Sequence, residues 1–100
     1  MSKETANAPQ NKSSLNPLQV GNQVLIRTVT CYQVGRIVEE TERGYVLVDA
    51  AWIADTGRFS DALKSGEFSE VEPFVDPVFV AHGAFCDATL YRGTLPLKQK

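Results

Sequence analysis

The stretch Q-V-G-R-I-V-E-E-T-E-R-G-Y-V-L-V-D-A-A-W-I, residues 33–53, decides the fold. Its first part, residues 33–41, reads as a strand with Gly35 inside it. A glycine there weakens a flat strand and suits a sharp bend or bulge. Thr41-Glu42-Arg43-Gly44 reads as a hairpin turn, with Gly44 at a position of positive φ. Residues 44–53 are almost continuously apolar, as a central strand is. Upstream, N-Q-V-L-I-R-T-V-T (residues 22–30) is rich in β-branched residues and sets Val24, Ile26, Thr28 and Thr30 on one face. Three strands with short links make a meander.

Downstream lies the single helical signal, S-D-A-L-K-S-G, with Ser60 as the cap, Asp61 in the first turn and Gly66 as the stop. Two turns cannot stand without packing. Phe59, Leu63 and Phe68 are spaced to press this insert onto the sheet. Pro73 and Pro77 mark an edge or linker. V-F-V-A (78–81) and A-F-C-D-A-T-L-Y (84–91) then supply two more strands. The expected fold is all-β with one short helix near 59–66, a five-stranded barrel over residues 18–97. Residues 1–17 read as a disordered tail, since Ser2 to Pro17 hold one large apolar residue, Leu15.

The order of Val24 and Ile26, then V-G-R-I (34–37), then Y-V-L-V-D-A (45–50), resembles the first motif of Sm-like, Hfq-type barrels. V-A-H-G-A-F (80–85) is similar to their second motif, an apolar-x-basic-Gly step. Other SH3-like barrels share such patterns. The resemblance implies a bent barrel that joins sister copies through its last two strands, with RNA bases held by an Asn loop and a basic-Gly step. Gly44 stands near the Asn position, so the amide edge of a uridine site is missing. His82 stands at the basic position and keeps stacking and donor capacity. The stretch from Val24 through D-A-A-W-I-A-D-T-G-R-F-S-D-A-L also resembles a group of small bacteriophage and prophage proteins, which implies a setting in which nucleotide signals of host defence are sequestered.

Asp55-Thr56-Gly57 has the form of an acid-protease triplet. Such an enzyme needs a Gly-rich flap and an apolar-apolar-Gly stretch behind it, and the residues after Gly57 contain neither. Asp55, Arg58 and Asp61 instead read as groups that shape a turn, with Arg58 available as an anion donor beside Trp52 as a stacking plate. No catalytic or metal-ligating set emerges. His82 and Cys86 are too far apart on a strand for proton transfer, and two isolated cysteines, Cys31 and Cys86, read as reduced core thiols. A net charge of -2 without a basic stripe disfavours non-specific nucleic-acid binding.

The sequence therefore predicts a cytoplasmic, non-enzymatic homo-oligomer that needs no cofactor. Trp52, Arg58, His82 and Arg36 are its expected contacts to a nucleotide or short oligonucleotide at subunit interfaces. A phage assembly component or an inhibitor of a host protein is the alternative, and an RNA-binding ring the third.

Overall fold

The computed structural model describes residues 15–100. Its elements are β1 (Gln23–Thr28), β2 (Tyr32–Glu40), β3 (Gly44–Asp55), a helix α1 (Phe59–Ser65), β4 (Glu70–Pro73), β5 (Val78–Ala81), a 3-10 turn (His82–Ala84) and β6 (Phe85–Leu90). All pairings are antiparallel and run β4-β3-β2-β1-β6, with β5 joined to β3. The fold is thus mostly antiparallel β with one short helix, as the pattern required. Among the described residues it has six strands rather than five. The additional strand is β4, which ends on Pro73, a residue that marks an edge or linker in the sequence. Proline lacks a donor, but at the last residue of a short strand that omission is tolerated.

β3 organises the rest. Its first half, from Gly44 to Leu47, pairs with β5, and its second half, from Ala51 to Asp55, pairs with β4. Between them Asp49 takes φ 50, a conformation that Asp tolerates better than most residues. The register against β2 slips at the same place, between Val34 and Arg36. One extra residue flips the alternation. Tyr45 and Leu47 therefore point to the same core as Ala50, whereas Ala51 and Ile53 point to the opposite one. Gly35 lies in β2 at this slip, as expected, and a Cβ there would stand 2.9 Å from Leu47 Cδ2 and 3.1 Å from Ala50 Cβ.

Two cores result, one on each face. Val24, Ile26, Ile37, Leu47 and Val80 fill the first, while Leu25, Val34, Ile53, Val71 and Phe68 pack with Ala62 of α1 and Leu95 of the C-terminal segment in the second. This explains why Val24, Leu25 and Ile26 are all buried in succession. β1 has no wet face.

Other local readings change. α1 begins after Arg58, which makes no side-chain cap, so Ser60 lies inside the helix. Gly66 does end it, at φ 75, with its N–H on Ala62 O. Gly44 is not at positive φ; it is glycine because the β5 backbone crosses directly over it. Cys86 is exposed and Cys31 only half-buried, so neither is a core thiol. Of the expected tail, residues 1–14 lie outside the described residues. Asn16 and Pro17 are already tied down, through Asn16 Oδ1 to Leu18 N–H and Pro17 O to Asn22 Nδ2. Among the described residues no helix is long and apolar enough to cross a membrane.

Candidate functional site

The turn between β1 and β2 is built from T-V-T-C, Thr28 to Cys31. Thr28 N–H donates to Cys31 O at 2.8 Å, and the Thr28 hydroxyl oxygen accepts from Cys31 N–H at 3.2 Å. These bonds hold the loop upright, with Val29 at its tip 87% exposed. A hollow lies on each side. The larger, about 470 Å³, is walled by the turn with Arg27, Tyr32, Trp52 and Ile53. The smaller, about 310 Å³, lies between the turn, Gln33 and β5.

Trp52 belongs to a cross-strand row that runs Ala88, Ile26, Gln33, Trp52, Glu72. Ile26 is fully buried towards one end of the row, and Trp52 is 44% exposed towards the other. The indole is therefore anchored at one edge and open at the other, the disposition of a stacking plate. On the neighbouring wall, the Tyr32 ring stands 5.7 Å from that of Phe59, which ties the groove to the start of α1. Arg27 supplies the charge: it belongs to the adjacent row Asp87, Arg27, Tyr32, Ile53, which faces the other side of the sheet from Trp52, and it lines the same hollow beside the turn. Its Nε and Nη2 reach Asp87 Oδ2 at 3.0 and 2.6 Å. Hydrogen bonding to Arg27 holds the Asp87 carboxyl below its usual range. Both partners are solvated, so the pair adds little to stability and remains exchangeable.

Cys31 sits where both hollows meet. Burial pushes its thiol up, but hydrogen bonds from Thr28, Gln33, Thr30 and Trp52 outweigh that and hold it below the ordinary value. Alkylation by iodoacetamide, followed site by site by mass spectrometry, should show Cys31 reacting with a midpoint below that of a free cysteine. Trp52→Phe, which deletes one donor, should move the midpoint upward. An unmoved midpoint removes the indole from this role.

Of the four contacts expected from sequence, only Trp52 lies in the groove. Arg58 is exposed at the head of α1 and pairs with neither Asp55 nor Asp61; the ion pairs among the described residues are Arg27–Asp87 and Arg36–Asp49. Asp55 shapes its own turn by accepting from Gly57 N–H at 2.8 Å. Arg36 is held by Gln23 Oε1 at 2.8 Å and by Asp49 at 3.5 Å, at the bend of β3. His82 lies at the far end of β3, its ring edge-on to Tyr45 at 5.1 Å and its Nε2 3.2 Å from Thr41 O. Tyr45 and Trp52 are seven residues apart, roughly 20 Å along a strand. Within one chain these groups do not converge.

Sequence reasoning did not single out Arg27 or Tyr32 as contacts. The signal was present in R-T-V-T-C-Y, an arginine and an aromatic bracketing a tight turn. Among the described residues no three His, Cys, Asp or Glu side chains are grouped to hold a metal ion. Comparison with protein-family models, with curated proteins and with solved structures returns no match, so the groove is read from its own geometry.

Proposed function

We propose that the chain is a non-enzymatic, homo-oligomeric binding protein that holds a nucleotide or short oligonucleotide in the Trp52 groove. One observation carries this reading: an anchored indole and an exchangeable guanidinium, Trp52 and Arg27, line the same hollow. The indole offers a face to a base, and a phosphate can take the place of the Asp87 carboxylate on Arg27. Cys31 lacks a histidine base, since the lone histidine, His82, is packed on Tyr45. That supports binding rather than nucleophilic catalysis.

In the same reading β1, β2, β3, β5 and β6 form an Sm-like or SH3-like barrel into which α1 and β4 are inserted. The 3-10 turn between β5 and β6 and the pairing of the last strand with the first support it. Copies join through the free edges of β5 and β6, which brings Arg58 or His82 of a neighbour to the groove of the next subunit.

Trp52 is the only tryptophan, so its fluorescence reports the groove directly. Titration with adenosine monophosphate and with a dinucleotide should quench it and protect Cys31 from alkylation. Arg27→Ala should weaken binding at least about tenfold, the worth of a charge-assisted hydrogen bond. Asp87→Asn should tighten it by releasing the guanidinium. No quenching by any nucleotide, together with a single-copy mass in light scattering, would end this reading.

A structural or protein-inhibitor role is the second reading, favoured by Phe74 at 41% and Val75 at 98% exposure in the loop between β4 and β5.

A further inference from the structure

The outer edge of β4 is already paired, although no strand of the sheet lies there. Val71 N–H donates to Lys100 O at 2.8 Å, and Lys100 N–H donates to Val71 O at 3.0 Å. Reciprocal bonds between two residues define a hydrogen-bonded antiparallel pair. Gln99 then falls opposite Glu72, and its Nε2 does reach Glu72 Oε2 at 3.0 Å. Lys98 and Lys100 thus belong to a segment laid along β4. It is held lightly. Leu95 is buried, but Leu97 is 68% exposed and residues 91–100 form no regular element.

We propose that the β4 edge is a docking site for an extended segment of a partner protein with basic residues at alternate positions. In the free chain, residues 98–100 occupy it as a displaceable stand-in.

Glu70 and Glu72 are both exposed and, two residues apart on a strand, point to one face. The chain's own lysines are one step out of register with them. Lys98 and Lys100 lie beside Pro73 and Val71, and the neutral Gln99 faces Glu72. A strand with Lys or Arg at the Gln99 place and again two residues further on would keep the backbone bonds. It would also set a cation against each glutamate, at the non-hydrogen-bonded pairs where side chains approach most closely. The platform is firm, since Val71 is 1% exposed and β4 is paired to β3 along its inner edge. Main-chain bonds then supply affinity and alternate side chains supply choice. A second copy of this chain is the poorer occupant: its lysines would repeat the same misfit and gain nothing over the tethered segment, which has the advantage of high effective concentration.

The test is fluorescence anisotropy with an end-blocked, labelled Val-Lys-Val-Lys-Val-Lys-Val peptide. Lys100→Pro in the full chain removes the N–H that Val71 O accepts and should release the stand-in. Expected is about tenfold tighter binding by Lys100→Pro than by the parent, as loss of a tethered competitor requires. Glu70→Gln with Glu72→Gln should abolish the gain, and a Val-Gln peptide should bind weakly. Should Lys100→Pro lose its fold, the full-length Lys98→Glu, Lys100→Glu variant loosens the segment by charge and takes its place. Equal affinity for parent and released chains overturns the proposal, as does binding indifferent to the two glutamates. Exchange of the Val71 amide gives an independent check: protected in the parent, open on release, protected again by peptide. A Val71 amide that peptide leaves open places the peptide elsewhere and overturns the assignment.

Discussion

Gly44→Val is expected to lower stability by about 3 kcal/mol or more, at the upper end of what overpacking produces. A Cβ at this position falls on the carbonyl oxygen of Val80, 2.8 Å from Ala81 Cα and 2.9 Å from Phe79 Cζ. Two of those atoms are backbone, so no side-chain rotation relieves the clash. Only a retreat of β5 would, and that breaks the pairs Gly44–Ala81 and Tyr45–Val80. Val80 would leave the core it shares with Ile26 and Leu47, and the contact of His82 with Tyr45 would go with it. In a domain of this size each kcal/mol is worth about 4–8 °C, so the melting temperature should fall by about 12 °C or more. Gly83→Ala is the control, because a Cβ there meets nothing within 4 Å. Its melting temperature should stay near that of the parent. A Gly44→Val variant that melts with the control would mean that β5 is not where it is placed.

Gly44 also shows what the sequence could and could not disclose. A glycine after T-E-R announces a hairpin, and the hairpin is there. Whether the glycine is needed for its own dihedral or for a strand arriving 36 residues later is a tertiary fact, and local pattern is blind to it. The strands over 22–30, 33–41 and 44–53 were legible because β-branched residues and alternation are local signals. β4 was not, since E-V-E-P carries one buried residue and a proline. The flip at Asp49 was hidden for a similar reason. An apolar run reads alike whether it faces one core continuously or two cores in turn. For the site, aromatic and basic residue types located Trp52. They could not separate Arg27, which lines the groove, from Arg58, Arg36 and His82, which do not. Which side of a sheet a residue faces depends on the bulges between it and the next strand.

Tyr91→Ala is expected to lower stability by about 3–5 kcal/mol, comparable with removing a large aromatic from any core. Tyr91 is 2% exposed and joins three parts of the molecule. Its ring stacks on Phe68 at 5.7 Å, its N–H donates to Gln23 O at 2.9 Å on β1, and its hydroxyl donates to Thr94 O at 2.7 Å. The hydroxyl lies against Gly66 and Gly93, so α1 and the C-terminal segment meet over it. Without the ring, α1 loses its floor and Leu95 its neighbour, and the core under α1 opens as a unit. Tyr91→Phe separates the two contributions: it keeps the stack and removes one hydrogen bond, worth about 0.5–1.5 kcal/mol. Alkali tests the same residue without mutation. Burial pushes the Tyr91 hydroxyl pKa up, and burial with the nearby Glu40 charge does the same for Tyr45. A raised folded pKa means the contribution is complete below the unfolded value, about 10, and is lost as pH rises through the folded one. Urea midpoints should therefore hold up to about pH 10 and fall above it. The fall should be shallower in Tyr91→Phe and shallower again with Tyr45→Phe added. An alkaline fall of the same depth in Tyr91→Phe would show that its hydroxyl stays wet, and that the junction over Gly66 and Gly93 is open in solution.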